Sequence, residues 1–492
     1  MEALAYFFVL VYVAALLFIT LYALFEFQLL FYYFKKYRKL KSFKPTTVTE
    51  WPYVTIQLPL FNELYVVERL IDDICKIDYP TDRFEIQVLD DSTDESIQIA
   101  KNKVEYYVSR GVNIKYIHRT NRVGYKAGAL KEGLEIAKGE FITIFDADFL
   151  PQPDFLKNCI PYFQNPKIGV VQTRWGHINE DYSLLTMLQA FQLNVHFTIE
   201  QTGRQSSNHF LQFNGTAGTW RKTTILDAGG WHSDTLTEDL DLSFRAQLKG
   251  WQIYYIQDIV SPAELPAEMN GLKSQQARWM KGGAEVARKL IPVIKNSNLS
   301  FWHKAHAIML LLGSSLFLFV LLLAIVSVPI SFLVSRFGIN PKLFAFGLLG
   351  TLTVLIVHFV ANVGIAWKEK ALPISILRFL ALFPLFLIFS MGLSLHNSVA
   401  VIEGWRGKKS AFVRTPKFNI KTIKDRLSHH KYLTHTISWK TWVEGLLAAY
   451  FTYAVYYGVH TKNTNFIFFH VALAIGFFSI FIYTLKHLSL KD

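Results

Sequence analysis

Apolar and polar positions along the 492-residue chain fall into two regimes. From Lys44 to Lys304 charged residues recur every few positions, as in a water-soluble domain, whereas Met1–Phe34 and much of Ala305–Leu485 run for long stretches without charge. Apolar helical runs of that length match the ~30 Å of hydrocarbon in a bilayer. The pattern predicts one soluble domain embedded between membrane segments.

Met1–Phe34 is interrupted only by Glu2 and Glu26, lacks a basic start and a small-residue cleavage site, and reads as an uncleaved anchor. The basic residues that follow, Lys35, Lys36, Arg38, Lys39, Lys41 and Lys44, place the soluble domain in the cytoplasm and the N-terminus outside. Ala305–Ser335 and Leu343–Trp367 form a predicted hairpin that turns through Gly338 and Pro341 and returns at Lys368 and Lys370. Phe379–Ile402 has Arg378 before it and Arg406, Lys408, Lys409 and Arg414 after it, so both ends belong on one side. A surface-lying or re-entrant helix satisfies that parity, with His396, Asn397 and Glu403 making its later part amphipathic; a third crossing is the alternative. A last hairpin near Trp439–Val459 and Phe466–Leu485, tipped by Lys462 and Asn463, brings the expectation to five spans, one interfacial helix and a cytoplasmic C-terminus.

Within the soluble part, Tyr53–Leu58, Glu85–Leu89, Ile114–His118, Phe141–Phe145 and Ile168–Gln172 are short β-rich runs, and Glu63–Lys76 and Ser92–Ser109 carry apolar residues at helical spacing. Strand alternating with helix predicts an open, mostly parallel α/β sheet, in which ligands sit beyond the carboxyl ends of strands. The acidic motifs fall there. Asp90 and Asp91 follow IQVL, and Asp146 and Asp148 follow the buried run FITIF. Carboxylates at i and i+2 behind such a strand can reach one hard divalent cation and, through it, a diphosphate; turn and cap roles explain the same residues equally.

Asn121–Lys131, NRVGYKAGALK, has Gly124 and Gly128 for close backbone approach and Lys126 to balance phosphate or carboxylate charge. The P-loop order is absent, which withdraws support from kinase or ATPase chemistry. Thr237-Glu238-Asp239 precedes a predicted helix over Leu240–Lys249, with Thr237 as its N-cap. Its carboxylates either complement the helix dipole or place Asp239 as a general base. Gln275 and Arg278 share a helix face with Trp279 beside them, offering a guanidinium to a diphosphate and an indole face to a sugar ring, or an amphipathic face to a membrane.

Composition and charge narrow this picture. A hydrophobic content of 51% with 18% charged residues excludes disorder. The balance of 51 Lys and Arg against 38 Asp and Glu, +13, gathers beside the apolar runs and again over 406–426, a membrane-surface pattern; with no RNA or DNA module in those clusters, nucleic acid is not expected as a partner. Cys75 and Cys159 have neither metal-ligand nor disulfide spacing, in keeping with a reducing cytosolic face.

The segments QLPLFNE, VLDDST, NRVGYKAGALKEG, FDADF, FNGTAGTWRK, TEDLDLSFRAQLKGW and QQARW follow one another between Val54 and Trp279. In this order they resemble the family 2 processive glycosyltransferases, most closely the cellulose-synthase-like mannan and glucan synthases. The resemblance implies an α/β GT-A (Rossmann-like) cytosolic catalytic domain over 45–300, inserted between α-helical transmembrane segments: an anchor and basic juxtamembrane stretch over 1–44, and transmembrane and interfacial helices over 301–492. It implies inverting transfer from a nucleotide sugar, GDP-mannose or next UDP-glucose, a Mg²⁺ or Mn²⁺ ion, and a growing β-linked polysaccharide extruded through the bilayer.

By position, Asp90 and Asp91 match the nucleotide-contacting carboxylates, with Lys126 on the donor side, and Asp146 and Asp148 match the pair that holds diphosphate and metal. Asp239 matches the general base, with Glu238 beside it at the acceptor. Gln275 and Trp279 match the acceptor-binding residues and Arg278 the pyrophosphate contact. Phe412-Val413-Arg414-Thr415-Pro416-Lys417 looks like a gating-loop motif through Phe412, Thr415 and Lys417, and departs from it at Arg414 and Pro416. The rival readings are single addition to a membrane lipid and, from another class, a non-catalytic channel, which would not need every acidic position filled.

Overall fold

The computed structural model describes residues 2–41, 45, 48–337, 341–364, 372–422, 425, 432 and 437–488. Of the positions used above, Met1, Lys44, Gly338, Trp367, Lys368, Lys370 and Arg426 lie outside the described residues. Among the described residues, seven strands form one sheet: β1 (Val54–Leu60), β2 (Phe84–Asp90), β3 (Ile114–His118), β4 (Phe141–Ile144), β5 (Ile168–His177), β6 (Gly218–Arg221) and β7 (Gln252–Ala263). Their order is β3-β2-β1-β4-β6-β5-β7. All pairs are parallel except those of β6, which runs antiparallel to both β4 and β5.

The two faces of β1 show how the sheet is filled. Val54, Ile56 and Leu58 alternate into an apolar core with Leu70 and Ile71 of the helix Val67–Ile74, all fully buried. Thr55 and Gln57 point the other way and pair sideways: Thr55 Oγ1 donates to Glu85 Oε1 at 2.9 Å and Gln57 Nε2 to Gln87 Oε1 at 3.0 Å. The helix Tyr125–Ile136 lies on this polar ladder, and a Cβ at Gly133 would stand 2.6 Å from Gln57 Nε2. Glycine there lets the helix close onto the sheet, which fixes where its first turn delivers Lys126.

The expected strands are present within a few residues, and the alternation of strand and helix holds through β4. β6 and β7 were not expected. The four-residue GTWR is too short to show a period, and QIYYIQDIVSPA mixes polar and apolar positions across an irregular pairing with β5. Together these strands bring Asp146 and Asp148 past β4, His177 at the end of β5 and Glu264 past β7 to one edge of the sheet.

Among the described residues, five helical stretches are long and apolar enough to cross a membrane: Ala3–Lys35, Phe301–Leu333, Lys342–Val363, Leu372–Gly392 and Ile467–His487. The chain is a membrane protein. The first helix, Glu2–Lys41, packs along Leu316–Phe337 and Gly347–Val363, and its Glu26 accepts from Arg204 of Gln201–Ser207 at 3.3 Å, joining the anchor to the sheet domain.

Two expectations need correcting. Phe379–Ile402 is not one surface helix but parts of two, Leu372–Gly392 and Ser394–Trp405. The first is itself of membrane length. The second packs on the helix Met269–Lys295 through buried polar groups, with Asn397 Nδ2 donating to Gln276 Oε1 at 3.3 Å and His396 Nε2 2.9 Å from the Lys273 carbonyl oxygen. The hairpin arm Trp439–His460 forms beside Ile467–Leu488, yet it is not among the five apolar stretches: it carries Glu444, fully buried and 2.7 Å from Lys273.

Candidate active site

At the carboxyl edge of the sheet lies a cavity of about 170 Å³. Of the residues given a binding or catalytic role from sequence, its lining includes all but Asp90: Asp91, Lys126, Asp146, Asp148, Glu238, Asp239, Gln275, Arg278, Trp279, Phe412, Thr415 and Lys417. They arrive from the loop after β4, the first turns of the helices Tyr125–Ile136 and Glu238–Leu248, one face of Met269–Lys295, and the segment after Trp405.

The Asp146 amide donates to Thr216 Oγ1 at 2.8 Å, which sets the direction of the acidic loop. Lys126 Nζ donates to Asp146 Oδ1 at 2.5 Å and to the Gly215 carbonyl at 3.0 Å, and lies 3.9 Å from Glu238 Oε1. Burial opposes the ammonium, but Asp146 and Glu238 outweigh it and hold the Lys126 pKa above the ordinary lysine value. Lys417 Nζ donates to Asp148 Oδ2 at 2.6 Å. Each carboxylate of the Asp-x-Asp pair therefore already carries a cation. Hard anionic oxygens that must be neutralised are the donor set a divalent ion uses. Around the same cavity, buried polar atoms without partners, among them Thr237 Oγ1, Thr415 Oγ1 and Asn214 Nδ2, leave hydrogen-bonding capacity for a polar ligand.

Asp239 sits at the start of its helix, where Oδ1 accepts from the Leu240 amide at 2.8 Å. Its other oxygen faces Gly215, where a Cβ would come within 2.8 Å, and Gly215 holds φ +81°, so this position needs glycine on both counts. Burial, with adjacent Glu238, pushes the Asp239 carboxyl up to about 7, against the pull of Lys126. Burial raises Glu238 as well. The expected N-cap differs in detail: Thr237 occupies the cap position, but its hydroxyl makes no capping bond and remains buried and unpaired.

The pair behind β2 is held by protein groups. Asp91 is bidentate with Arg119, at 2.7 Å from Nε and 2.6 Å from Nη2, and lines the cavity. Asp90 is fully buried, accepting from the Ser92 amide at 2.9 Å and the Tyr116 hydroxyl at 2.7 Å, and does not reach the cavity. Among the described residues, one further acidic cluster is spaced like metal ligands, His232, Asp234 and Asp241. Lys289 and Arg245 neutralise it at 2.7–2.9 Å, and it lies outside this cavity.

The segment from Phe412 to Asn419 lies down over the site. Phe412 stacks on Tyr125 at 5.9 Å and sits 4.8 Å beneath the Arg278 guanidinium. Glu264 grips the other end, its two oxygens accepting from the Phe418 and Asn419 amides at 2.8 and 2.9 Å. Arg414, one of the two departures from the gating-loop pattern, pairs with Glu63 at 3.2 Å and covers the Tyr432 ring at 3.8 Å. Sequence reasoning missed Glu63, Glu264 and Arg122, whose guanidinium covers Phe61 at 3.2 Å. Glu63 lies in the quoted QLPLFNE, whereas the signal for Glu264 was hidden with β7.

Residues 52–282 match the family described as "Glycosyltransferase like family 2". The likeness to that family lies in this stretch of the chain, which contains the whole sheet. Among curated proteins, the chain is 43% identical over 288 residues to glucomannan 4-beta-mannosyltransferase 2 of Arabidopsis thaliana, covering 56% of this chain and 54% of that protein. It is 44% identical over 264 residues to glucomannan 4-beta-mannosyltransferase 1 of Oryza sativa subsp. japonica, covering 52% and 51%. The chain thus spans about half the length of the curated relatives it matches. Among solved structures, a mannosyltransferase from Pyrobaculum calidifontis, in complex with GDP-Man and Mn2+, aligns with a TM-score of 0.51 at 19% identity, over 81% of this chain and 100% of that one. The sheet domain accordingly has a GT-A-like fold.

Proposed function

We propose that the chain is a membrane-embedded inverting glycosyltransferase that polymerises a β-linked polysaccharide, β-1,4-mannan or glucomannan, from GDP-mannose. What carries this reading is the meeting of Asp239, Asp146, Lys126 and Arg278 around one cavity, in a chain whose relatives are named mannosyltransferases. The domain over 45–300 then faces the cytoplasm, between the anchor over 1–44 and the helices over 301–492 that lead the product across the bilayer.

The chemistry is a single displacement. The acceptor hydroxyl loses its proton to Asp239 as its oxygen attacks the anomeric carbon, and the bond from that carbon to the nucleoside diphosphate breaks on the opposite face. An α-linked donor so yields a β-linked product. Lys126 and Arg278 meet the charge gathering on the leaving diphosphate, while Gln275 and Trp279 hold the acceptor end. Asp146 and Asp148 would hold Mg²⁺ or Mn²⁺, which when bound stabilises that same charge. Phe412 and the segment behind it exclude water, which would otherwise compete as acceptor.

The base must be ionised, so a carboxyl raised to about 7 makes the rate climb with pH. Initial rates of nucleotide release from GDP-mannose are expected to fall about tenfold for each unit of pH below about 6, and to level off above about 8. A flat profile between pH 5 and 8 would remove Asp239 from this role. Release from UDP-glucose in place of GDP-mannose would move the donor to the glucan reading.

A further inference from the structure

The loop before β6 sets the charged side of the cavity. The Gly215 carbonyl accepts from Lys126 Nζ at 3.0 Å, and Thr216 Oγ1 accepts from the Asp146 amide at 2.8 Å. Where this loop stands therefore decides where the ammonium and the acidic loop stand. Asn214, its first residue, is 8% exposed; its amide donates to Gln172 Oε1 at 3.0 Å, and its Oδ1 lies 3.0 Å from His196 Nε2.

His196 begins a line of side chains that ends in the first membrane helix. Its Nδ1 lies 3.0 Å from Glu200 Oε2, Arg204 Nη2 lies 3.8 Å from that same oxygen, and Arg204 Nη2 donates to Glu26 Oε1 at 3.3 Å. None of the four side chains is more than 20% exposed. Burial works against the Glu200 charge, but His196 and Arg204 hold its carboxyl below the ordinary value. The helix that carries these residues widens here: the Gln201 amide reaches back five residues to the His196 carbonyl oxygen, a π turn, which is rare and recurs at functional sites. The anchor lies close against the same helix, since a Cβ at Gly203 would stand 2.6 Å from the Leu29 carbonyl oxygen.

Buried charges hold their places as a set, because moving one leaves its neighbour unpaired. We propose that Glu26, Arg204, Glu200 and His196 are positioning residues through which the membrane anchor fixes the loop before β6, and with it Lys126 and Asp146 at the donor diphosphate. None of the four lines the cavity, so their effect on the donor passes through the loop. The anchor is thereby part of the framework of the donor site as well as a tether. The inference rests on the transferase reading, in which this cavity takes a nucleoside diphosphate.

The test is calorimetric titration of the full chain in detergent with GDP plus Mn²⁺, for the parent, His196→Phe, Glu26→Gln and the two combined. His196→Phe keeps a ring and removes both ring nitrogens; Glu26→Gln keeps the size and removes the charge. His196→Phe is expected to weaken GDP binding about tenfold, the scale of one lost hydrogen bond to a charged group, and Glu26→Gln about threefold, because the amide still accepts. The double variant is expected to bind no more weakly than His196→Phe, since both act through one line, and the number of sites per chain stays at the parent's value. Unchanged affinity in Glu26→Gln overturns the proposal, whether or not His196→Phe folds. Losses that multiply in the double variant overturn it as well, because they mark independent contributions. Fewer sites of undiminished affinity overturn it by showing damage to the fold alone. A parent that binds no GDP overturns the nucleotide reading and the positioning line together, whereas a parent that binds it with variants of equal affinity overturns the positioning line alone.

Discussion

Asp239→Asn is expected to lower glycosyl transfer by about 10²–10⁴-fold, the range a positioned general base contributes, while the protein stays folded and melts no lower than the parent. The two halves of this expectation have one cause. Asp239 is half-buried beside Glu238, and the energy spent on keeping a second carboxylate ionised there appears as a pKa of about 7. A folded-state pKa raised above the unfolded value means that stability is lost as pH rises from about 4 towards 7, so near pH 8 the charged form is a burden on the fold. The amide removes the charge and keeps the size and the acceptor for the Leu240 amide. Activity assays and melting curves at pH 8 together check this. A variant that is inactive because it no longer folds would contradict it, as would one that keeps activity.

The double substitution Asp146→Asn with Asp148→Asn is expected to abolish the response of nucleotide binding to Mn²⁺ or Mg²⁺ and to reduce turnover by at least ~10³-fold. These are the two carboxylates that face the cavity from one loop, and each now neutralises a lysine, Lys126 and Lys417. The lysines come from elements distant in sequence, so the pair also ties the segment after Trp405 to the sheet. Titration of GDP with and without Mn²⁺ separates the two roles. If the parent binds GDP more tightly with Mn²⁺ and the variant does not, the pair holds the ion. If Mn²⁺ makes no difference to the parent, the carboxylates serve the lysines alone and the metal assignment fails.

How much of this was legible beforehand depended on the distance in sequence between interacting groups. The acidic loop after β4 and the carboxylates at the start of Glu238–Leu248 could be read locally, because a buried strand or a helix start determines where the next side chains point. The same holds for Lys126, whose placement follows from glycines that let its helix close on Gln57 and Gln87. What could not be read was pairing across the chain. Nothing near Asp91 announces Arg119, 28 positions away, which occupies both of its oxygens. Nothing near Lys417 announces Asp148 or Glu264, and both depend on strands brought together only by the sheet. The membrane part failed in a related way: parity of flanking charges treated Phe379–Ile402 as one helix, whereas Ser394–Trp405 is drawn off by Gln276 and Lys273 on a helix more than a hundred residues earlier.

The most direct measurement is product analysis by the purified full chain in detergent, supplied with GDP-mannose, UDP-glucose or UDP-N-acetylglucosamine, with and without Mn²⁺. The mechanism predicts a high-molecular-weight product that is sensitive to β-mannanase and forms from GDP-mannose only when the divalent ion is present. A lipid-extractable monoglycoside as the sole product, or no transfer from any of the three donors, would contradict it.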